Sequence, residues 1–172
     1  MKILSCVLLA AAIMVSVQIL DAQQGDARFD ALTTDFLKGF YAANPISATG
    51  IGVHDFDNLL DDVSPAALLL ESQRLRQVKL QLAGIDAKSL SKSKNIDYRL
   101  LVESVDESIF GLDELKETEW NPLVYTIAIG NSIASLIYQE FAPLDQRLKN
   151  AAQRASLVPK FLDQAKKNLK NK

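Results

Sequence analysis

The chain has 172 residues, with 19 Lys and Arg against 21 Asp and Glu and a formal net charge of −2. Such an even balance argues against a nucleic-acid partner, which requires a concentrated basic face. The one cysteine, Cys6, excludes an intramolecular disulfide, so the fold must be stabilised by a packed core.

The first 22 residues have the pattern of a secretory signal peptide. Lys2 precedes the apolar run Ile3–Leu20, and Ala22 offers a small residue for cleavage. Leu20 occupies a position where a small residue is preferred. An uncleaved membrane anchor is therefore the alternative, since about 20 apolar residues span a bilayer. We expect cleavage after Ala22, no stable membrane span in the mature chain, and export to the periplasm or the medium.

The mature chain, residues 23–172, is predicted to be one all-α, bundle-like domain of about six to seven helices. Apolar residues recur every three or four positions, and proline, glycine and Ser-Pro or Asn-Pro pairs mark the helix ends. The predicted helices cover about 27–42, 45–48, 65–83, 95–118 and 123–141, followed by a helix that begins at Pro143 and is interrupted at Pro159.

The same patterns predict how some of these helices end and pack. Gly84 is expected to end its helix in the left-handed conformation. The segment 123–141 is apolar all round and is expected to lie deep in the domain. Trp120 is expected to pin its turn beneath neighbouring helices. The helix after Pro143 carries an apolar stripe that consists of Leu144, Leu148, Ala152 and Ala155.

The segment Gly50–Asp62 holds the single histidine, His54, among several aspartates. A catalytic zinc typically takes three protein ligands, and one imidazole without a thiol cannot supply a histidine-rich site. The motif His-Glu-x-x-His is absent, and the aspartate spacing does not fit a calcium loop. The segment is either an exposed turn whose carboxylates cap neighbouring helices, or a ligand contact through His54 and Asp57. We therefore predict no catalytic and no metal-ligating residue in this chain.

Other motifs favour structural explanations. No Gly-x-Ser-x-Gly nucleophile turn occurs. Asn121 before Pro122 is typical of a helix start. The acidic residues between 103 and 119 are most simply a solvated helix face. The lysine-rich stretch 166–172 suits a helix C-terminus, where cations meet the negative end of the dipole.

Short segments follow one another in a distinctive order: Asp35–Leu37, Tyr41–Pro45, Ala48–Asp57, Leu60–Pro65, Asp97–Leu101, Trp120–Tyr125 and Phe141–Leu144. Their order and spacing, over about residues 29–169, resemble the N-terminal part of the bacterial DUF885 family, a family of unknown function. Members of that family are largely helical, often exported, and look like zinc-dependent peptidases of the gluzincin type. The positions that match family landmarks are Gly52, His54, Asp57, Asn121, Pro122 and Tyr125.

The resemblance also implies what this chain lacks. In the family, the His-Glu-x-x-His helix and the third zinc ligand lie far downstream. We therefore expect a fragment or truncated form, the non-catalytic N-terminal part of an exported zinc peptidase, which is inactive alone. Its partner is the missing C-terminal catalytic half, which holds the zinc. The substrate of the full-length form is expected to be a peptide, contacted by His54, Asp57, Asn121 and Tyr125. The alternative is a complete small secreted helical module that acts in binding or as an adaptor.

Overall fold

The computed structural model describes the backbone of residues 2–170 and the side chains of residues 23–170. It confirms the predicted all-α fold, because the described residues form helices and turns without a strand. The helices are α1 (Lys2–Ala43), α2 (Pro45–Gly50), α3 (Pro65–Ala83), α4 (Lys92–Phe110), α5 (Leu123–Tyr138) and α6 (Leu144–Asn168).

The predicted signal peptide, residues 1–22, lies outside the residues whose side chains are described, so cleavage after Ala22 stays a prediction. Asn171 and Lys172, at the end of the lysine-rich stretch, also lie outside the described residues. Within residues 23–170, whose side chains the structure describes, no helix has an apolar stretch long enough to cross a bilayer.

Local signals set several helix boundaries. The Ser64 hydroxyl accepts a hydrogen bond from the Ala67 N–H at 3.3 Å and caps α3. Pro65 is the first residue of α3, a position where no N–H partner is needed. Ser91 caps α4 in the same way, by accepting a hydrogen bond from the Lys94 N–H at 3.4 Å. α3 ends at Gly84 as predicted, but its φ is −83°, so the left-handed conformation predicted there is wrong. A 3-10 turn at Ala87–Ser89 carries the chain on to α4.

The end of α4 differs from the prediction of one helix through residue 118. The helix loosens into a π turn at Gly111–Leu115, and Lys116 then adopts a left-handed φ of 48°. Trp120 follows a short 3-10 turn and is 50% exposed, so the prediction that it lies beneath neighbouring helices is wrong. Its indole N–H donates to the Leu115 carbonyl at 2.9 Å, which satisfies the polar end of the ring within its own turn.

Two apolar clusters stabilise the fold. The first joins α1, α3 and α4, and its fully buried members are Phe29, Leu75, Leu82 and Val105. The second joins α5 and α6, with Tyr125 edge-on to Phe161 at 5.9 Å between ring centroids. The segment between α2 and α3 contributes Leu60 and Val63 to this second cluster.

α5 is less buried than its apolar composition predicts. Only Tyr125, Ser132 and Leu136 of this helix are buried, whereas Leu123 and Ile127 are 62% and 57% exposed. The prediction that the whole segment lies deep in the domain is therefore wrong. α2 and α6 are its main packing partners, and they cover only part of its circumference.

α6 differs from its prediction at Pro159. This residue lies inside an unbroken helix of 25 residues, so the predicted interruption is wrong. The apolar stripe of Leu144, Leu148, Ala152 and Ala155 is exposed. The buried face carries polar residues instead, among them Arg147 and Arg154. This arrangement is stable because both guanidinium groups have partners, Arg147 at the Ile137 carbonyl and Arg154 at the Ser132 carbonyl.

Candidate functional site

A glycine turn at the end of α2 places His54. Gly52 has a φ of +90°, and its N–H donates to the Thr49 carbonyl at 3.1 Å. The N–H of Val53 donates to the Ala48 carbonyl at 2.9 Å. This pair of hydrogen bonds is the Schellman motif, which requires a left-handed residue that glycine supplies without a steric penalty. The turn sends the chain directly to His54, and this explains why a glycine occupies position 52.

Asp57 is a buried carboxylate, 3% exposed, at the centre of the site. Its Oδ1 lies 2.7 Å from the Thr49 hydroxyl, which donates to it. Both of its oxygens lie 3.2 Å from His54 Nδ1. When Asp57 is ionised, the Nδ1–H of His54 donates to it, because a carboxylate offers only acceptors. The carboxylate therefore fixes the orientation and the tautomer of the imidazole.

Arg154, on α6, is fully buried and connects the site to the rest of the domain. Its Nη2 donates to the Thr49 hydroxyl at 2.6 Å and to the Pro45 carbonyl at 3.1 Å. Its Nε donates to the Leu59 carbonyl at 2.8 Å, and its Nη1 donates to the Ser132 carbonyl at 2.9 Å. One side chain thus joins α2, the segment before α3, and α5 to α6.

Charge in this region is distributed over three groups. Burial lowers the pKa of the Arg154 guanidinium, and the carboxylates of Asp57 and Asp61 oppose that effect. The guanidinium remains a cation, because arginine side chains are not deprotonated in proteins. Burial also raises the pKa of Asp61, although the Ile46 N–H and the charge of Arg154 act in the opposite direction. The region therefore contains one buried cation facing two carboxylates.

The ring of His54 stacks on Phe141, with 3.6 Å between the centroids and an angle of 11° between the planes. The side chain is 31% exposed. Its second nitrogen, Nε2, makes no hydrogen bond to the part of the chain that the structure describes. With Nδ1 bound to Asp57, Nε2 is the atom that can accept a proton or hydrogen-bond to a ligand. Among the residues with described side chains, no group of three His, Cys, Asp or Glu could hold a metal ion.

The predicted substrate contacts fall into two pairs. His54 and Asp57 are in direct contact. Asn121 and Tyr125 lie at the start of α5, where the Asn121 side chain accepts a hydrogen bond from the Leu123 N–H at 3.1 Å. Tyr125 donates to the Thr118 carbonyl at 2.6 Å, and burial raises the pKa of its hydroxyl. No hydrogen bond joins the two pairs within the described residues, and their role toward a substrate stays a prediction.

Thr49 and Arg154 are members of the site that were not predicted from the sequence. One signal for Arg154 exists, because the spacing of the residues on α6 places it on the face that carries Ala151, Phe161 and Ala165. An arginine in line with apolar residues can be a buried donor rather than a solvated charge. Thr49 gave no comparable signal, because a single threonine near a helix end is common.

No curated protein matches this chain. Among solved structures, the chain is similar to a protein from Shewanella oneidensis described as "a putative lipoprotein of unknown function", with 25% identity and a TM-score of 0.75. The match covers 83% of this chain and 26% of that chain, so this chain spans about a quarter of the length of that relative. The profile of a family described as "Bacterial protein of unknown function (DUF885)" matches residues 45–172. The chain therefore belongs to the DUF885 family.

Proposed function

We propose that this chain is the N-terminal helical, non-catalytic part of an exported zinc-dependent peptidase. In this proposal, the zinc and its ligands belong to another part of the longer family protein, and the present domain forms one wall of the substrate cleft. The greater length of the Shewanella oneidensis protein supports this proposal, since that chain is about four times as long as the region that matches. Its description as a lipoprotein supports export.

The observation that carries the proposal is the outer stripe of α6, which we define as Leu144, Leu148, Ala152, Ala155 and Leu162. These residues follow one another at intervals of three, four or seven, so they lie along one side of the helix. Leu144 and Leu148 are 54% and 47% exposed. Exposed apolar stripes of this kind mark surfaces that another protein segment covers. The proposed occupant is the remainder of the longer family protein.

A dye-binding experiment tests the stripe. The fluorescence of 1-anilinonaphthalene-8-sulfonate should rise strongly with the wild-type chain and fall for Leu144→Ser with Leu148→Ser, without a loss of melting temperature. The matched control is Leu80→Ser with Ile96→Ser, whose side chains are 66% and 59% exposed on α3 and α4. If the wild-type chain is instead a monodisperse monomer that melts cooperatively and binds no dye, the complete secreted binding or adaptor module is the better description.

The catalytic part of the proposal has its own test. We expect the purified chain to show neither tight stoichiometric zinc binding by calorimetry nor peptide hydrolysis. Chelator-sensitive peptide hydrolysis by this chain alone would contradict the proposal that the zinc and the catalytic residues belong to another part of the longer family protein.

The proposal assigns to His54 a contact with the peptide through Nε2, and to Asp57 the positioning of the imidazole. Because the chain has one histidine, the NMR signal of its Hε1 proton needs no assignment. Titration with tetra-alanine should shift this signal, and Asp57→Asn should reduce the shift by releasing the ring. A His54 signal that does not respond to the peptide would remove His54 from the cleft.

A further inference from the structure

A cavity of about 520 Å³ lies where α1, α3 and the segment 59–63 meet, and members of both apolar clusters line it. Its volume is within the range of about 300–1,000 Å³ that is typical of small-molecule sites. The cavity lies apart from His54, which does not line it. Its walls are mainly apolar and include Phe36, Phe40, Leu60, Val63, Leu68 and Leu75.

The charged side chains that line this cavity are Asp61, Asp62, Glu71 and Arg74. Arg74 and Glu71 neutralise each other through two hydrogen bonds of 2.7 Å, and the guanidinium also lies over the Phe36 ring. Asp62 accepts hydrogen bonds from the Ser64 N–H and the Gln164 side chain, and Lys160 Nζ lies 3.6 Å from it. These three groups therefore have partners within the protein.

Asp61 differs from the other three. Its Oδ1 accepts one hydrogen bond, from the Ile46 N–H at 3.0 Å. No Lys or Arg of the described residues lies within ion-pair distance of its carboxylate, and the donors of Arg154 are directed to Thr49 and to backbone carbonyls. Burial raises the pKa of Asp61, and the Ile46 N–H and the more distant charge of Arg154 offset this effect only in part.

We propose that this cavity binds a primary ammonium group carried on an aliphatic chain, with the ammonium at Asp61 and the aliphatic part against the walls. A carboxylate at the edge of an apolar cavity favours a cation and disfavours an anion, because removal from water makes an uncompensated charge costly. The aliphatic part gains from contact with Leu60, Leu68 and Leu75. This inference goes beyond the peptidase proposal and does not depend on it.

Three probes of equal chain length test the charge preference. The complete chain is titrated with hexylammonium, 1-hexanol and hexanoate, and binding is followed by the NMR shifts of residues on α1 and α3. Hexylammonium should bind about tenfold more tightly than hexanol, the effect of one charge-assisted hydrogen bond, and hexanoate should bind most weakly. Equal affinities for the three probes, or a preference for hexanoate, would overturn the proposal.

Two variants locate the ligand. Asp61→Asn keeps an oxygen that can accept the hydrogen bond from Ile46, and it should reduce the affinity for hexylammonium about tenfold while leaving that for hexanol unchanged. Ala67→Leu fills the cavity from α3 and should weaken both ligands. Asp163→Asn, an exposed site on α6 that does not line the cavity, is the control and should change neither affinity. An Asp61→Asn chain that binds hexylammonium as the wild type does would exclude Asp61 as the ammonium partner.

A last titration distinguishes the possible sources of the ammonium. Leucinamide carries a primary ammonium group in the same position as a peptide amino terminus. N-acetyl-leucinamide is the matched compound in which that group is acetylated and uncharged. Asp61-dependent binding of leucinamide but not of the acetylated compound supports the proposal and identifies a peptide terminus as a ligand. Asp61-dependent binding of hexylammonium alone supports it and identifies a small free amine. If neither hexylammonium nor leucinamide binds, the proposal is wrong.

Discussion

Nη2 of Arg154 lies 2.6 Å from Oγ1 of Thr49, although 105 positions separate the two residues in the sequence. The same threonine hydroxyl donates to the buried carboxylate of Asp57. The cation on α6 and the imidazole of His54 are thereby connected through two intermediate side chains. Such a chain of hydrogen bonds is stable in a buried site when each member has a partner.

Arg154→Met should destabilise the domain by about 3 kcal/mol or more. The substitution preserves the approximate length of the side chain but leaves the carbonyls of Pro45, Leu59 and Ser132 without this donor and Asp57 without a nearby cation. Urea unfolding measures the change. Arg99→Met, at an exposed position on α4, should change the free energy of unfolding by less than about 0.5 kcal/mol. Similar effects of the two substitutions would contradict the role of Arg154.

Gly52→Ala should lower the free energy of unfolding by about 1–2 kcal/mol, because a side chain is strained at a φ of +90°. Gly50→Ala is a close control, since a Cβ at either position meets no atom within 4 Å. Gly50 is the last residue of α2 and has no positive φ, so alanine there should be neutral or slightly stabilising. Because neither position is crowded, the difference between the melting temperatures of the two variants reports the backbone strain at position 52. Equal melting temperatures would show that the turn does not require glycine.

Asp113→Asn should be less stable than the wild type at neutral pH, and the difference should shrink in acid. The Ser72 hydroxyl donates to Asp113 at 2.8 Å and Arg76 donates at 2.6 Å. These contacts, the hydrogen bond from Ser72 first, hold the pKa of Asp113 below its ordinary value of 3.8. A pKa lowered by folding adds stability above the ordinary value, which is lost as the pH falls through the folded value.

The measurement for Asp113 is urea unfolding at successive pH values. Asp163→Asn is the control, because that carboxylate is 68% exposed and lies 3.4 Å from a single lysine, Lys166. A difference between Asp113→Asn and the wild type that persists unchanged at about pH 2 would mean that the Ser72 and Arg76 contacts do not stabilise the ionised carboxylate.

Pro159→Ala should raise the free energy of unfolding by about 1–3 kcal/mol. α6 continues through Pro159, which has no N–H to donate to the carbonyl of Ala155, and alanine restores that donor. Pro65→Ala, at the first position of α3, should change stability by less than about 1 kcal/mol, because no intrahelical partner exists there. Calorimetric melts compare the two. A loss of stability in Pro159→Ala would show that the proline stabilises α6 by restricting the unfolded chain.

The helix boundaries were predictable where one or two neighbouring residues decide them. Ser64 and Pro65 mark the start of α3 because a cap is a contact between residues three positions apart. The buried face of α6 was not predictable in this way. Arg154 lies on it because it donates to carbonyls more than 90 positions away, and no local pattern contains that information. The exposure of Trp120 escaped prediction for a different reason, since it depends on the carbonyl that the π turn directs toward the indole.

The candidate site was predictable in part. The segment around His54 could be predicted as a candidate site because it holds the single imidazole. The contact between His54 and Asp57 was also predictable, since the two residues are three positions apart. The stacking on Phe141 and the connection to Arg154 depend on how α5 and α6 return to this turn. Such long-range contacts are set by the packing of whole helices rather than by the residues near His54.

The two apolar clusters have a consequence for the order of assembly during synthesis. The first draws on α1, α3 and α4, so its members have all been translated before α5 is made. Segment 53–63 is also translated early. Its hydrogen-bond partners on α6, which are Arg154, Gln164 and Asn168, are translated about 100 residues later. Until then its hydrogen bonds to Arg154, Gln164 and Asn168 cannot form. α6 therefore completes a part of the protein that was translated well before it.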